Sequence, residues 1–271
     1  MVPSELSLVI LNYNGAEILR ETLSTARAVL PSGAELLLVD NGSVDHSRSV
    51  ARNAGVVTIV ASNQHQFITG LNTAFQQTTR PWVLFAQNDV RFHRGSLCKL
   101  VQSVTQDAIY QPLLLNQDGS VNHAGVRYQW PGVGIGNRQF PSTNAPVPIE
   151  VFSTACFLMP RRIFNRVGLF DTQFAPAYYE DVDYSLRAQQ AGIPRYLLPG
   201  VHATHLSTWT FGRVYGAQRC SHFCHFNRRK LVRKHFQGVN QLTRLAGLRI
   251  ADLCSWGQYQ LHGDTYQTSR A

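Results

Sequence analysis

The stretch Arg80-Pro81-Trp82-Val83-Leu84-Phe85-Ala86-Gln87-Asn88-Asp89-Val90 carries the most informative pattern in the chain. Its apolar run from Trp82 to Ala86 predicts a strand that is buried on both faces, as in a parallel sheet. Asp89 follows just past the carboxyl end of that strand, where open α/β sheets bind their ligands. For a ligand that carries a diphosphate, a carboxylate at this position is well placed to hold a divalent cation.

Strand and helix patterns alternate through the first part of the chain. Apolar runs predict strands over residues 6–12, 35–39, 56–61 and 82–86, and helical apolar spacing predicts helices over 16–29, 44–53 and 68–77. This alternation predicts an α/β protein with a doubly wound, mainly parallel sheet whose site lies at the strand ends.

The pattern changes after Tyr110. Residues 116–119 (Asn-Gln-Asp-Gly) predict a hairpin turn, and residues 128–148 are so rich in Gly, Pro and polar side chains that they predict a mobile substrate-side loop. The elements predicted beyond this loop are strands over 151–159 and 196–198, helices over 161–167 and 180–190, and a basic amphipathic segment over 217–236.

A second acidic group, Glu180-Asp181-Val182-Asp183, opens the helix predicted over 180–190. Acids at a helix N-terminus are favoured by the macrodipole alone, by ~0.3–1 kcal/mol, so capping is one interpretation. The other is catalytic, because the preceding aromatic residues suit the wall of a binding site and would desolvate a nearby carboxylate enough for a general base. Those aromatic residues are Phe170, Phe174, Tyr178 and Tyr179.

Composition fits an enzyme of ordinary size. The chain has 271 residues, 44% of them hydrophobic, and no run approaches the ~18 apolar residues of a membrane-spanning helix. The first residues lack the pattern of a signal peptide, and five scattered cysteines favour reduced thiols. These features predict a cytoplasmic protein, with peripheral contact at the inner face of the cell membrane as a further possibility.

The net charge of +9 is concentrated late in the chain. No Asp or Glu occurs between Asp183 and Asp252, whereas Arg and Lys cluster between Arg213 and Lys234. A solvated basic face, anionic lipid headgroups at roughly 1 kcal/mol per basic residue, and nucleic-acid phosphates are the alternatives. Because no nucleic-acid motif accompanies the charge, we expect a membrane surface or a polyanionic substrate and no nucleic-acid partner.

Three groups of motifs together carry a resemblance to a known family. They are Val9-Ile10-Leu11-Asn12-Tyr13-Asn14, Val39-Asp40-Asn41-Gly42-Ser43, and the spaced pattern from Ala155 to Gly192 that contains Val167-Gly168-Leu169-Phe170-Asp171 and Tyr178-Tyr179-Glu180-Asp181-Val182-Asp183. In order and spacing the chain resembles the inverting family 2 glycosyltransferases that use nucleotide-diphospho-sugars, and within them the rhamnosyltransferase-like branch of bacterial surface polysaccharides. The likeness covers roughly residues 6–236.

The resemblance implies a GT-A-type α/β fold with a mainly parallel sheet, a smaller acceptor-side sheet region and a C-terminal basic helical extension. It divides the chain into a nucleotide-sugar-binding half (1–115), an acceptor-binding and catalytic half of the same domain (116–212) and the basic extension (213–271).

The resemblance also assigns a nucleotide-binding set, namely Leu11, Asn12, Asp40, Asn63, Gly70, Asn72 and Asn88. Asp40 would accept from the imide N–H of uracil or thymine, which implies a dTDP- or UDP-sugar. From the residues alone, Asp40 is equally a turn residue that bonds its own backbone. The segment after Asn63 departs from the family, with one residue inserted before Phe67 and Gln66 in place of Gly.

For the metal, the resemblance assigns Mg²⁺ or Mn²⁺ to Asp89 and His205. Gln87-Asn88-Asp89 stands where the family has an Asp-x-Asp-type motif, so Gln87 departs from the pattern. An exposed turn aspartate and a structural histidine are the alternatives, and His202 lies close to His205 in sequence. Asp181 is implied as the general base, and Glu180 as a catalytic partner that contacts the acceptor or the donor sugar.

Together these residues predict inverting transfer of a sugar, with rhamnose as one candidate, from a pyrimidine nucleoside-diphospho-sugar to a hydroxyl of a glycan or lipid-linked acceptor. A nucleotidyltransferase would need a phosphate loop rich in Gly and Arg after the first strand, and Asn12-Tyr13-Asn14-Gly15 is not one. A catalytically degenerate member that acts as a polysaccharide-assembly partner is the other alternative, since Gln87 and the altered segment depart from the family.

Overall fold

The computed structural model describes residues 2–60, 66–131, 133–207 and 209–261. The first part of the chain alternates strand and helix as predicted. Its elements are β1 (Leu6–Asn12), α1 (Ala16–Val29), β2 (Glu35–Asp40), α2 (Ser47–Asn53), β3 (Val57–Val60), α3 (Phe67–Gln77) and β4 (Trp82–Gln87). The bounds of β1 and α1 are those that the apolar pattern predicts.

The later elements, in chain order, are β5 (Val90–Phe92), α4 (Ser96–Ser103), β6 (Ile109–Leu115), β7 (Val121–His123), β8 (Val126–Gln129), β9 (Val133–Gly136), β10 (Val147–Pro148), β11 (Cys156–Pro160), α5 (Arg161–Val167), α6 (Glu180–Gln190), β12 (Arg195–His205), α7 (Trp209–His235) and α8 (Gly238–Leu261). The helices α5 and α6 have their predicted bounds, and β6 and β7 form the hairpin predicted around residues 116–119.

One large sheet runs through the molecule in the order β10-β12-β6-β11-β4-β1-β2-β3. The strands β1 to β4 pair in parallel, because helices α1, α2 and α3 cross between them and every residue of β1 is buried. Antiparallel pairs begin at β11, which lies between β4 and β6. The predicted α/β class is confirmed, with its parallel pairing concentrated in the amino-terminal half.

Apolar side chains cover both faces of this sheet. On one face Phe75 stacks on Phe164 with ring centroids 4.8 Å apart, which fixes α3 and α5 over the strands. On the other face the buried leucines Leu19 and Leu97 pack α1 and α4 against the sheet. Because helices cover both faces of the sheet, a ligand can reach it only at the ends of the strands.

Three sequence predictions need correction in this region. Residues 128–148 are not strandless, since β8 and β9 form an antiparallel ribbon and β10 lies at the edge of the large sheet. The strand predicted over 151–159 covers only Cys156–Pro160, and before it the Ser153 N–H donates to the Gln111 side chain instead of to a neighbouring strand. The strand predicted over 196–198 continues to His205, with an irregularity after Leu198 that accommodates Pro199-Gly200.

The basic segment predicted over 217–236 is helical but is part of a longer element. Helix α7 breaks at Gly216, whose φ of 72° and ψ of 159° lie outside the helical region and suit glycine. Its last turn carries Arg233, Lys234 and His235, which the negative end of the helix dipole favours. Within the described residues, none of the helices combines the length and apolar character needed to cross a membrane.

Candidate active site

A cavity of about 370 Å³ opens at the edge of the sheet where β1, β2 and β4 end. Their carboxyl ends meet there because Leu11 pairs with Gln87 and Asn12 pairs with Asp40. The predicted site residues that line the cavity are Leu11, Asn12, Asn88, Asp89, Glu180, Asp181 and His205. The structure therefore brings the predicted nucleotide, metal and proton-transfer groups into one space.

Asn12 and Asn88 form a buried amide pair at the floor of this cavity. Asn88 Nδ2 donates to Asn12 Oδ1 at 2.8 Å, and Asn12 Nδ2 donates to Ser43 Oγ at 3.1 Å and to Asp40 Oδ1 at 3.3 Å. The carbonyl of Asn88 also accepts from the Thr22 hydroxyl. These bonds tie the ends of β1, β2 and β4 together and fix the turn that carries Asp89.

Gly15 makes room for the amide pair. A Cβ at this position would lie 2.5 Å from Asn12 Oδ1 and would collide with Asn88 Nδ2 as well. Any side chain at residue 15 therefore forces the two asparagines apart. The need for glycine here comes from close approach, since the backbone of Gly15 has an ordinary negative φ.

Asp40 is fully buried and does not line the cavity. Its Oδ2 accepts from Arg48 Nε at 2.7 Å and from the Ser43 N–H at 3.1 Å. These are the contacts that the turn interpretation expects, and the guanidinium compensates the buried charge. A contact of Asp40 with the base of a nucleotide stays a prediction.

The neighbouring Asn41 lines the cavity and was not predicted as a site residue. It is 1% exposed, and its Oδ1 has no hydrogen-bond partner among the described residues. A buried, unpaired amide oxygen costs free energy unless a ligand or water satisfies it. Its place in Asp40-Asn41-Gly42-Ser43 was the only available signal, and the sequence could not say which of these side chains faces the cavity.

Gly70 and Asn72 lie behind the cavity wall, outside its lining. A Cβ on Gly70 would lie 2.6 Å from Leu11 Cδ1, so this glycine lets α3 approach Leu11. The Asn72 amide donates to the Phe170 carbonyl at 2.9 Å and accepts from the Phe170 N–H at 2.8 Å. Both positions support the wall, and direct contact with a nucleotide stays a prediction. Asn63 lies outside the described residues.

Asp89 and His205 meet because β5 pairs with β12, which sets His205 beside Val90. His205 Nε2 lies 3.4 Å from Asp89 Oδ1, and the side chains are 14% and 3% exposed. Asn122 Oδ1, 3.1 Å from His205 Nδ1, orients the imidazole from behind. His202, the other histidine nearby, turns its Nε2 to the Pro199 carbonyl at 2.7 Å.

The residues present fit a divalent cation that is shared with a substrate. Asp89 Oδ1 is buried and accepts no hydrogen bond from the described residues, and it faces an imidazole nitrogen. No group of three or more His, Cys, Asp or Glu in the described part of the chain is arranged as a complete metal site. Mg²⁺ and Mn²⁺ suit this arrangement, since they often bind through one or two protein groups with phosphate oxygens and water.

The negative charge of the cavity lining also favours a bound divalent cation. Its ionisable side chains include the carboxyls Asp89, Glu180 and Asp181, and none of the described lining residues is lysine or arginine. A diphosphate in this cavity would meet like charge at close range. A bound cation would compensate that repulsion.

Glu180 and Asp181 form an interacting carboxyl pair at the start of α6. Glu180 is 4% exposed, and its Oε1 accepts from Thr154 Oγ1 at 2.7 Å. Burial raises the pKa of Glu180, and burial together with the charge of Glu180 raises the pKa of Asp181 to about 8. At neutral pH the pair therefore holds a proton, and one member is poised to exchange protons with a ligand.

The turn before α6 holds two successive tyrosines in the left-handed region. Tyr178 has a φ of 74° and Tyr179 a φ of 71°, which is strained for side chains of this size. Both line the cavity, whereas Phe170 and Phe174 are buried in the core. The predicted four-residue aromatic wall is therefore wrong in half of its members, because Phe170 stacks on Tyr184 at 4.1 Å beneath the site.

Helix α7 closes one side of the cavity through Cys224. This contact places part of the predicted basic extension in the wall of the site. The Cys224 thiol is not part of a disulfide, and burial raises its pKa. Asn227, on the same helix, is 1% exposed and bonds to the turn before α6. In the sequence Cys224 stood out only within a Cys/His group (Cys220, His222, Cys224 and His225) whose spacing argues against zinc, and Asn227 did not stand out from the basic pattern around it.

Residues 7–168 match the family model described as "Glycosyl transferase family 2". The match covers more than half of the 271 residues, and the chain belongs to this family. The chain is therefore a glycosyltransferase, and the cavity with its separated acid groups fits this class of enzyme.

Curated relatives from two strains of Mycobacterium tuberculosis are named N-acetylglucosaminyl-diphospho-decaprenol L-rhamnosyltransferase. Each is 25% identical over 249 residues, which is 80% of this chain and 81% of the relative. The predicted resemblance to family 2, including its rhamnosyltransferases, is confirmed.

Solved glycosyltransferases share the fold. GalNAc-T7, solved with UDP, GalNAc and Mn²⁺, aligns with a TM-score of 0.64 and 17% identity over 83% of this chain, which spans about half (50%) of that chain. The mannosyltransferase PcManGT of Pyrobaculum calidifontis, solved with GDP-Man and Mn²⁺, aligns with a TM-score of 0.61 and 15% identity over 90% of this chain and 68% of its own. The predicted GT-A-type fold is confirmed.

Proposed function

We propose that this glycosyltransferase moves a sugar, with inversion, from a pyrimidine nucleoside-diphospho-sugar to a hydroxyl of a glycan or lipid-linked acceptor. Rhamnose is the first candidate sugar, because the Mycobacterium tuberculosis relatives are named L-rhamnosyltransferases. The observation that carries the proposal is that Asp89 and His205 share one cavity with Glu180 and Asp181. A metal-binding pair and a proton-accepting pair are the two parts that such a transfer needs.

The donor nucleotide is assigned to the end of β1 and β2. The unpartnered Asn41 Oδ1 is an acceptor that suits the imide N–H of uracil or thymine, and Asp40 lies next to it in the chain. Guanine carries a comparable N–H donor, so the preference for a pyrimidine comes from the family resemblance and not from this contact. We therefore propose dTDP- and UDP-sugars as donors, with dTDP-rhamnose tested first.

Asp89 and His205 are the residues that would hold Mg²⁺ or Mn²⁺. When bound, such a cation supplies charge compensation for the diphosphate leaving group. Asn12, Asn88 and the Thr22 hydroxyl keep the Asp89 turn in place through the bonds described above. The protein thus contributes a preorganised carboxylate instead of one that must reorganise during the reaction.

Asp181 is proposed as the general base. It takes the proton of the acceptor hydroxyl while the acceptor oxygen attacks the anomeric carbon and the bond to the diphosphate breaks. A raised pKa suits this role, because proton transfer is most effective when the pKa of the base lies near the working pH. Tyr178 and Tyr179 supply the aromatic surface on which a sugar acceptor would rest.

We further propose peripheral contact with the inner face of the cell membrane. On α7 the half-exposed Phe226 lies under Lys230, with Nζ 4.6 Å from the ring centroid. On α8, Val239 and Leu242 are 76% and 66% exposed. Basic and apolar groups together favour an anionic bilayer surface. Co-sedimentation with lipid vesicles tests this proposal. Sedimentation with anionic but not with neutral vesicles supports it, and failure to sediment with anionic vesicles excludes it.

A donor screen tests the central proposal. The purified chain is incubated with a panel of nucleotide sugars and Mn²⁺, and released nucleoside diphosphate is measured with and without candidate acceptors. Release from dTDP- or UDP-sugars supports the proposal, and the anomeric configuration of the product tests inversion. Released pyrophosphate would identify a nucleotidyltransferase, and the absence of calorimetric binding to dTDP, UDP and GDP would identify a degenerate assembly partner.

A further inference from the structure

A buried amide on α7 holds the turn that precedes the catalytic carboxyl pair. Asn227 Nδ2 lies 2.7 Å from the carbonyl oxygen of Phe174, 2.9 Å from that of Ala177 and 3.1 Å from that of Tyr178. The side chain is 1% exposed, so these bonds form away from water. With two N–H donors, one of them shared between two acceptors, this side chain bonds three main-chain carbonyls of a single turn.

This turn is one that the chain would not adopt by itself. Tyr178 and Tyr179 both have positive φ, and such conformations cost of order 1–3 kcal/mol each for residues other than glycine. Tyr179 is the N-cap residue of α6 and offers no capping hydrogen bond from its side chain. The strained geometry therefore depends on contacts from outside the turn, and the hydrogen bonds from the Asn227 amide are among these contacts.

Helix α7 also forms ion pairs with the first turn of α6. Asp183 is fully buried, and its Oδ1 lies 2.6 Å from Lys234 Nζ and 2.8 Å from His235 Nε2. Arg187 Nε completes the cluster, 2.9 Å from Asp183 Oδ2. Glu180 and Asp181 lie between the turn held by Asn227 and the carboxylate held by Lys234 and His235. Helix α7 thus fixes the catalytic pair from both sides.

We propose that Asn227 is a positioning residue, whose amide holds the left-handed turn at Tyr178 and Tyr179 so that the Asp181 carboxylate stays in the cavity at reacting distance. The proposal rests on the proposed role of Asp181 as the base. It gives α7 a part in turnover, although Asn227 itself contacts no substrate. A small displacement of a catalytic group is costly, since misplacement by ~1 Å lowers rates by about 10²-fold.

The chain offers a matched pair of substitutions for the test. Asn227→Leu removes the donors with little change in volume. Gln241→Met does the same to a second amide that bonds main-chain carbonyls, those of Phe236 at 2.7 Å and Arg233 at 3.1 Å, at the far end of α7. Asn227→Ala is the second variant, because it leaves room for a water that can bond the carbonyls.

The first readout is steady-state kinetics with Mn²⁺ and the donor found in the screen. We expect Asn227→Leu to lower kcat by about 10²-fold, with the KM for the donor within about threefold, because orientation of the base is lost and nucleotide binding is not. Asn227→Ala is expected to lie between this variant and the parent. Gln241→Met is expected to retain the parental kcat.

The second readout is the titration of the Asp181 carboxyl, followed by carbon NMR without any substrate. Titratable groups that face this region include Glu180 from α6, Tyr178 from the turn and Cys224 from α7, and Asp89 and His205 line the same cavity. Release of the turn exposes Asp181 to water, so its pKa is expected to fall in both Asn227 variants and to stay unchanged in Gln241→Met. A merely structural asparagine would lower the melting temperature without moving this titration.

The outcomes separate the two proposals. A parental kcat and a parental Asp181 titration in a folded Asn227→Leu or Asn227→Ala enzyme overturn the positioning role. If no variant and not even the parent releases nucleoside diphosphate, the proposed function fails, while the NMR titration still decides whether Asn227 controls the Asp181 environment. If Asn227→Leu does not fold, Asn227→Ala gives both readouts.

Discussion

Asp89 Oδ1 and His205 Nε2 lie 3.4 Å apart although their residues are separated by more than a hundred positions in the chain. The pairing of β5 with β12 creates this approach, since it sets Val90 opposite His205. Both side chains are largely buried, and Asp89 Oδ1 accepts no hydrogen bond from the described residues. A carboxylate in this state is stabilised by a cation or by a charged imidazole, and the two alternatives respond differently to metal removal.

Removal of divalent metal is expected to abolish sugar transfer, because the lining leaves a diphosphate without a compensating charge. Chelation with EDTA should reduce nucleoside diphosphate release to background, and Mn²⁺ or Mg²⁺ should restore it. His205→Asn should raise the metal concentration needed for half-maximal activity by at least about 10–100-fold, the effect usual for loss of even an outer partner of a metal ligand. Full activity in EDTA would show that Asp89 and His205 form only an ion pair.

The chain supplies a control for that experiment in His202. Its Nε2 lies 2.7 Å from the Pro199 carbonyl, and its ring contacts His93 instead of the cavity. His202→Asn should therefore leave the metal dependence at its parental value. An equal loss in both histidine variants would mean that the effect comes from β12 and not from a ligand.

Replacement of Asp181 should separate chemistry from binding. Asp181→Asn removes the proton acceptor at nearly constant volume, so kcat should fall by ~10²–10⁴-fold, the span of general base catalysis. The Kd for the nucleoside diphosphate should stay near the parental value, since Asp181 lies on the α6 side of the cavity. Kinetics and calorimetry measure the two quantities, and an Asp181→Asn enzyme with parental kcat would exclude the base assignment.

The elements that follow from local pattern are the ones that the sequence predicts well. Strand β1 is buried on every residue, and helix α1 has a single apolar face, so burial alone determines both. The ribbon β8–β9 was missed because its two alternating runs are only four residues long and one of them alternates with glycine, which weakens a strand pattern. The length of β12 was missed because Pro199 and Gly200 normally interrupt a strand.

The site residues also fall into those that the sequence predicts and those that it does not. Asp89, Glu180 and Asp181 follow from their places at the ends of predicted elements, and the family resemblance gave them roles. Asn227 could not be predicted, because its partners lie about fifty residues away and are main-chain carbonyls that no side-chain pattern reveals. Asn41 was missed for a different reason, since sequence does not tell which side chain of a turn faces the ligand.

The pH dependence of turnover should report the carboxyl pair. Burial and the charge of Glu180 raise the pKa of Asp181 to about 8, so the base form accumulates only as the pH rises through that value. We expect kcat to rise with pH along a limb centred near 8. Glu180→Gln removes the neighbouring charge, lowers the pKa of Asp181 and should move the limb to lower pH. A shift of this pH dependence to higher pH in Glu180→Gln would contradict the assignment of Asp181 as the base.

The same pKa has an opposite consequence for stability. A carboxyl whose pKa is higher in the folded state binds more protons there, so its contribution to stability is full below the ordinary value of 3.8 and is lost as the pH rises toward 8. Asp181→Asn should therefore have a higher melting temperature than the parent at pH 8 and a similar one at pH 4. Equal melting temperatures at both pH values would show that Asp181 is not destabilised in the fold.

Gly15 offers a test of the amide network that does not touch a charged group. Gly15→Ala places a Cβ 2.5 Å from Asn12 Oδ1, which must displace Asn12, Asn88 and with them the Asp89 turn. Gly136→Ala is the matched control, since a Cβ there meets no atom of the described structure within 4 Å. Overpacking costs typically 1–3 kcal/mol, so thermal or urea unfolding should show a loss of that size for residue 15 alone. Because the displaced turn carries a proposed metal ligand, Gly15→Ala should also need more Mn²⁺ for half-maximal activity, and a variant that keeps both parental stability and parental metal dependence would show that the network does not fix Asp89.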